Sequence, residues 1–284
     1  MSPVVTIALW DRFVVLSAYS TMLYVAATVT IIAALILAAR RGLSLKRVVV
    51  AVLLMAVAVP VGARLLHVAI YTSREANLAD RLFAGGFQSF SLYGGLLAAA
   101  GIGLVSSRLL ALDVPRLADT VAPALGMGIA LMRVGCFLAG CTFGNETDLP
   151  WGVVFPLASD AHVYQITHGL VFPFSGPRPV HPTQLYELMA ALIGAGLAGW
   201  LLYRKAVDGT AFLVATAWFS AFRWVNYYLV AQPTRLTVPE WFYPALYCGI
   251  ILLCLWLLAR RYHPASFLAS VRIPGLPVGR RGLS

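Results

Sequence analysis

Between Arg12 and Arg40 lie 27 residues, Phe13 to Ala39, without a single charged side chain. A helix crosses a bilayer with about 20 mostly apolar residues, so this run is a spanning segment by length and chemistry alone. Six further stretches meet or approach the same requirement: Val48 to Tyr71, Leu92 to Ala111, Leu117 to Ala139, Thr183 to Tyr203, Ala211 to Val230 and Trp241 to Ala259. They account for a chain that is 60% hydrophobic and only 11% charged, where an average soluble domain carries roughly 25% charged residues. The expected fold is an all-α polytopic membrane protein of about seven transmembrane helices, forming a single transmembrane domain over residues 1–260. A cleaved signal carries positive charge ahead of a short apolar core. Here Asp11 and Arg12 precede a long one, so the first segment is expected to stay as a span.

Orientation follows from Lys and Arg at the span ends, which favour the cytoplasmic side. With the N-terminus outside, 13 of the 21 basic residues fall in cytoplasmic segments or span ends, among them Arg40, Arg41, Lys46, Arg47, Arg108, Arg116, Arg204, Lys205, Arg260 and Arg261, the rest being in the tail. Five fall outside (Arg12, Arg74, Arg81, Arg178, Arg235) and three within spans (Arg64, Arg133, Arg223). The asymmetry predicts an odd number of spans, N-out and C-in, and a basic cytoplasmic tail over residues 261–284. The net charge of +10 is spread over short loops and that tail, where anionic membrane lipid is the natural partner. No nucleic-acid partner is expected.

One connection is long. Residues 142–182 contain Pro150, Pro156, Pro173, Pro177, Pro179 and Pro182, together with Trp151, His162 and His168. Loops of this length are functional or disordered; the aromatic content argues for a folded segment, and the N-out orientation puts it on the outer face, as an external cap. Glycines recur in the spans, where small residues let helix backbones approach. Of the four cysteines, Cys248 and Cys254 lie in the last span and read as small core residues. Cys136 and Cys141 stand five apart, which on a regular helix places them on different faces. A disulfide requires the helix to end between them, as Gly140 permits; packing, a redox role, a metal or an acyl-acceptor role are the alternatives.

An arginine at the centre of a spanning helix costs on the order of 3 kcal/mol on insertion scales, so it faces a cavity or a partner. Arg133 and Arg223 sit deep in otherwise uncharged segments, and Arg64 follows Pro60-Val-Gly-Ala. The intramembrane carboxylates are Asp119 and Glu187. Positive charge therefore exceeds negative charge within the spans, which predicts an anionic ligand, and a phospholipid phosphate suits the planar guanidinium fork. In His181-Pro-Thr-Gln-Leu-Tyr-Glu187, Pro182 favours a helix start. The free N–H groups and positive dipole end of that helix make an anion site, flanked by His181, Thr183 and Gln184, with Glu187 one turn further in as a pairing partner or base.

These residues carry a resemblance. Ser91-Leu-Tyr-Gly-Gly-Leu96, Arg133-Val-Gly-Cys-Phe-Leu-Ala-Gly-Cys-Thr-Phe-Gly144, Pro150-Trp-Gly-Val-Val-Phe-Pro156, the His181 block and Ala221-Phe-Arg223 occur in the order found in the prolipoprotein diacylglyceryl transferase family of bacterial inner membranes, which this chain resembles from about Tyr19 to Arg260. The resemblance implies a multi-pass inner-membrane transferase with seven spans and a periplasmic N-terminus. Its implied reaction moves the diacylglyceryl group of phosphatidylglycerol to the lipobox cysteine thiol of a prolipoprotein, next to the signal peptide. It implies no cofactor and no metal. Arg133 and Arg223 match the family's two functional arginines. Tyr93, His181 and Glu187 complete the expected catalytic set, and Gly94, Gly95, Gly135, Gly144, Gln184, Tyr186 and Arg64 the expected substrate-binding set.

The chain departs from the family pattern at three points. Tyr93 stands where a histidine regarded as a base is usual, and unperturbed tyrosine, with a pKa near 10, is a poor base at neutral pH. Proton removal then falls to His181, Glu187 or an activated Tyr93. Cys136, Ala139 and Cys141 replace two amides and a carboxylate, and Asn226 and Tyr227 follow Arg223 where an acidic residue is common. The leading expectation is a divergent diacylglyceryl transferase, or a paralogue acting on a different acceptor. The alternatives are a non-catalytic membrane phospholipid-binding paralogue and a transporter, whose usual internal repeats are not visible.

Overall fold

The computed structural model describes residues 4–9, 12–71, 91–231 and 239–262. Arg74, Arg81 and Arg235 of the expected external loops, and the basic tail from residue 263 onward, lie outside the described residues. The described chain is α-helical apart from a hairpin of β1 (Val4–Leu9) and β2 (Arg12–Ser17), antiparallel with Val4 opposite Ser17 and Leu9 opposite Arg12. The helices are α1 (Ala18–Arg40), α2 (Leu45–Tyr71), α3 (Leu92–Leu109), α4 (Val114–Ala139), α5 (Asp160–Thr167), α6 (Thr183–Tyr203), α7 (Thr210–Tyr227) and α8 (Phe242–Tyr262).

Helix α1 starts at Ala18, not at the Phe13 expected from hydropathy. The residues before it, Phe13-Val-Val-Leu, are β-prone and pair with β1. Ser17 then ends the strand and caps the helix, its hydroxyl accepting from Ser20 N at 3.0 Å, a cap of the kind worth about 1 kcal/mol. Among the described residues, α1, α2 over Leu45–Ala69, α4, α6 and α8 are long and apolar enough to cross a membrane, so this is a polytopic membrane protein. The expectation of seven spans included α3 and α7 as well. Each has 18 residues, about 27 Å of helix, and α7 places Arg223 and Asn226 inside the protein rather than offering an all-apolar surface.

Helix α4 is the centre of the bundle, packing against α1, α3, α6 and α7, while α2 pairs with α3 and α8 with α7. The outward faces of α2 and α8 expose Leu53, Val57, Leu65, Leu252 and Leu255, as hydrocarbon-facing surfaces do.

Polar groups concentrate in two layers. At one end, Asp119 of α4 is buried and caps α7, its carboxylate accepting from Gly209 N at 2.7 Å and Phe212 N at 2.8 Å. Around it Arg41 pairs with Asp208 at 2.6 Å, donates to the Arg116 carbonyl and Thr120 Oγ1 at 3.1 Å each, and Arg261 reaches the Asp208 carbonyl oxygen. These bonds tie together the ends of α1, α4, α7 and α8. The second layer surrounds Arg133, 14 residues along α4 from Asp119 and therefore about 21 Å away.

Asp119 thus works as a helix cap at the far end from the arginine layer. An Asp119→Ala variant is expected to unfold at a lower temperature in detergent, losing about 1–3 kcal/mol because two backbone donors are left without partners. Asp119→Asn retains one acceptor and should fall between; equal melting of all three proteins would refute the cap.

Residues 140–182 are built rather than loose. The expected cap carries α5 and a backbone ladder in which Gly144 pairs with Val230, and Val180 with both Glu146 and Val153. His162 is buried, with Nδ1 accepting from Ala158 N at 3.1 Å and Nε2 3.0 Å from the Ser175 carbonyl oxygen. Gln165 receives Arg178 N and donates to Arg178 O, both at 3.1 Å. His168 stacks on Tyr164 with ring centroids 3.8 Å apart. Both cap histidines hold the loop together.

Candidate active site

Three helices each deliver one charge to a common point. Arg133 enters from α4, Glu187 from the second turn of α6, and Arg223 from the last turns of α7. Arg133 Nη2 lies 2.5 Å from Glu187 Oε2, and Arg223 Nη1 pairs with Glu187 Oε1. Asn226, one turn after Arg223 on α7, donates from Nδ2 to the same Oε1 at 2.9 Å. Glu187 and Asn226 are fully buried, and the Arg133 and Arg223 side chains are 6% and 16% exposed. Two guanidinium groups thus share one carboxylate, and the layer retains one net positive charge.

An aromatic wall closes the Arg223 side. Arg223 Nη2 donates to Tyr247 Oη at 3.3 Å, and its guanidinium carbon sits 5.8 Å from the Tyr93 ring centre and 5.9 Å from that of Tyr247, within the range of cation–π attraction. The Tyr93 and Tyr247 rings are 5.3 Å apart and Tyr243 completes the cluster. Tyr93 is therefore at the arginine layer, as expected. Tyr247 is a partner that the sequence did not single out, and Asn226 was noted there only as a departure from the family pattern. For Tyr247 the available signal was a phenol in an apolar span, which needs a polar partner when buried.

Several buried polar atoms here have no hydrogen-bond partner among the described residues: Arg133 Nε, Arg223 Nε, Gln184 Oε1 and Asn226 Oδ1. Unpaired buried polar groups are costly, and here they are concentrated beside a net positive charge.

The start of α6 differs from expectation. Free backbone donors were expected there, but Thr183 N bonds to His181 O at 2.8 Å, and Leu185 N and Tyr186 N to Pro182 O at 2.9 and 3.2 Å. The side chains expected to flank an anion instead hold the end of α4: Thr183 Oγ1 donates to Thr142 O at 2.7 Å and Gln184 Nε2 to Cys141 O at 2.6 Å. Three donors of the turn at Pro182 are thus bonded within it, and the charged side chains meet one turn deeper, at Glu187. His181 Nδ1 is 3.2 Å from Tyr186 Oη, which accepts from Trp151 Nε1 at 2.7 Å. His181 and Tyr186 thus link the helix start to the cap, half-buried, outside the ion-paired layer.

The expected glycines serve close approach. A side chain on Gly94 would collide with the Gly62 carbonyl oxygen where α3 crosses α2, and Gly95 faces Val59 and Ala63 on the same helix. Gly135 faces Met22 and Tyr19 of α1, and Gly144 lies against His181 and the Leu229 carbonyl oxygen. They set the spacing of the elements that carry Tyr93, Arg133 and His181. Arg64 is half-buried on α2, one turn before His67, whereas the charged triad rides on α4, α6 and α7. At the C-terminal end of α7, Trp224, Val225, Tyr228 and Leu229 line an apolar recess of about 350 Å³, just after Arg223 in the chain.

Comparison with known proteins places this arrangement. The family model of the prolipoprotein diacylglyceryl transferases matches residues 6–256. The phosphatidylglycerol–prolipoprotein diacylglyceryl transferase of Geobacter sulfurreducens is 34% identical over 194 residues, 66% of this chain and 67% of that protein. The protein of the same name from Solidesulfovibrio magneticus is 31% identical over 222 residues, covering 73% and 75% respectively. That from Acaryochloris marina is 35% identical over 160 residues, covering 55% and 53%. With the matched region spanning the hairpin, the arginine-bearing helices and most of α8, the chain belongs to the prolipoprotein diacylglyceryl transferase family of transferases.

Proposed function

We propose that this protein transfers the diacylglyceryl group of phosphatidylglycerol to the thiol of a prolipoprotein lipobox cysteine at the outer face of a bacterial inner membrane. The observation that carries the reading is the buried Arg133–Glu187–Arg223 triad, in which two arginines share one carboxylate. Its surplus positive charge and unpartnered Nε donors suit one phosphodiester. In this reading α3 and α7 also cross the membrane, giving seven spans, N-out and C-in, with residues 142–182 as the periplasmic cap.

The chemistry is displacement at the glycerol carbon that bears the phosphate. A carbon–sulfur bond forms to the lipobox thiol, the carbon–oxygen bond breaks, and glycerol phosphate leaves with the electron pair. Charge accumulates on the departing phosphate, and guanidinium groups fixed in a water-poor layer stabilise it without reorganising. Glu187 holds both arginines at the right spacing, and that engagement removes it from service as the base. Tyr93 presents its ring to Arg223 and aligns the headgroup as a hydrogen-bond donor. His181, whose ring is not tied into an ion pair, takes the thiol proton at the outer edge of the site. The glycines Gly94, Gly95, Gly135 and Gly144 keep the walls close. The acyl chains lie along the C-terminal end of α7, against the recess at Trp224 and Tyr228.

The test is transfer of labelled diacylglyceryl from phosphatidylglycerol vesicles to a synthetic lipobox peptide by the purified chain. Labelled thioether product supports the reading, and saturable phosphatidylglycerol binding without product would replace it with the non-catalytic phospholipid-binding paralogue.

A further inference from the structure

Cys136 and Cys141 are five residues apart, a spacing that separates side chains on a continuous helix. In this protein the helix does not continue. Helix α4 ends at Ala139, Gly140 adopts φ +76°, and Cys141 N reaches back to Cys136 O at 3.1 Å. This six-to-one closure with a left-handed glycine is the Schellman geometry, in which the residue after the glycine folds back onto the residue that accepts its N–H. Here both of those residues are cysteines. The Cys141 thiol donates to the Cys136 carbonyl oxygen at 3.6 Å, so the turn carries the second cysteine's side chain back onto the first residue. Cys136 is buried and Cys141 half-buried, and both are free thiols in this structure. Gln184 holds the turn in place through the Cys141 carbonyl. On the other side, Arg133 Nη1 sits 3.8 Å from Cys136 Sγ.

We propose that Cys136 and Cys141 form a thiol modification site, closing reversibly into a disulfide across the αL turn that ends α4, one contact away from Arg133. The adjacent guanidinium disfavours a metal cation at the two sulfurs, and the αL turn that folds one cysteine back onto the other suits oxidation to a disulfide. Cys141, the more accessible thiol, attacks a disulfide-bearing oxidant and forms a mixed disulfide, releasing one oxidant thiol. Cys136 then attacks Cys141 Sγ, forming the internal bond and releasing the second oxidant thiol. Two cysteine protons end on the two released thiols, and the oxidant disulfide is reduced. In the cell the supply of oxidant rests on the outward orientation proposed above, since disulfides persist in the oxidising compartment. The reaction itself does not depend on that orientation.

The experiment uses the purified full chain in detergent, incubated with oxidised glutathione, denatured, alkylated, digested and analysed by mass spectrometry. The peptide carrying Cys136 and Cys141 is expected two hydrogens lighter than its reduced form and unalkylated. Cys248 and Cys254 should stay alkylated, and dithiothreitol should restore both alkylation sites. In Cys136→Ser the resolving thiol is missing, so a stable glutathione adduct is expected on Cys141. Full alkylation of both cysteines after oxidation, or a persistent glutathione adduct in the wild-type protein, would overturn the proposal. Because the readout is covalent and needs no transfer assay, its failure is distinguishable from failure of the proposed function.

Discussion

With Arg133 or Arg223 replaced by alanine, diacylglyceryl transfer is expected to fall by about 10²- to 10³-fold in kcat, the range for removing one preorganised donor from a developing oxyanion. The loss should come without a matching loss of fold. Each substitution removes one positive charge and leaves the other arginine paired with Glu187, so the remaining buried pair is neutral and keeps its partner. It also cancels the surplus charge that selects an anionic headgroup, so binding of phosphatidylglycerol should weaken relative to a zwitterionic lipid. Arg223→Lys is expected to restore little, because a point charge cannot replace a planar fork that faces Glu187, Tyr247 and the Tyr93 ring together. Since the two arginines act on one phosphate, the double variant should transfer scarcely worse than either single one, but it leaves Glu187 buried without a cation and should melt well below both. Initial rates with labelled phosphatidylglycerol and a lipobox peptide, read beside melting curves in detergent, check all of this. Either alanine variant retaining near wild-type kcat would remove the arginines from the chemistry.

Glu187→Ala has a different signature. It leaves two buried guanidinium groups facing each other with no counter-charge, and breaking a buried ion pair by deleting one partner costs about 3–5 kcal/mol. Asn226 Nδ2 loses its acceptor as well. A large fall in melting temperature is therefore expected together with loss of transfer, whereas the single arginine variants lose transfer while melting close to wild type. Glu187→Gln preserves shape and one acceptor but not charge, and should melt between wild type and alanine. Anionic lipid should raise the melting temperature of Glu187→Ala more than that of wild type, since phosphate supplies the missing negative charge. If Glu187→Ala melts like wild type and transfers, Glu187 does not hold the arginines.

The comparison of these variants separates two kinds of information. Arg133, Arg223, Glu187 and Tyr93 were legible in the sequence, because a charge in an apolar span is expensive enough to announce itself and the surrounding motifs are specific. Their arrangement was not. Glu187 read equally well as a base, and only its position between two guanidinium groups assigns it to pairing. Gln184 and Thr183 read as ligands of an anion and turned out to grip the end of α4, since a turn's own carbonyl oxygens compete for donors in a way that spacing does not reveal. Tyr247 lies 114 residues after Arg133 in the chain, beyond the reach of any local motif. Asp119 read only as one of two intramembrane carboxylates, and the structure has it capping α7 at the opposite layer.

What the sequence determined by itself was the solvent and the charge: long apolar runs can satisfy their backbone only as helices in a bilayer, and excess buried arginine calls for an anion. The tertiary structure decided which groups meet. It brought α4, α6 and α7 together at one carboxylate, began α1 after a strand, and folded Cys141 back onto Cys136 through a single left-handed glycine. Helical periodicity fixes the direction of a side chain only within one element, whereas these contacts arise where elements end or cross.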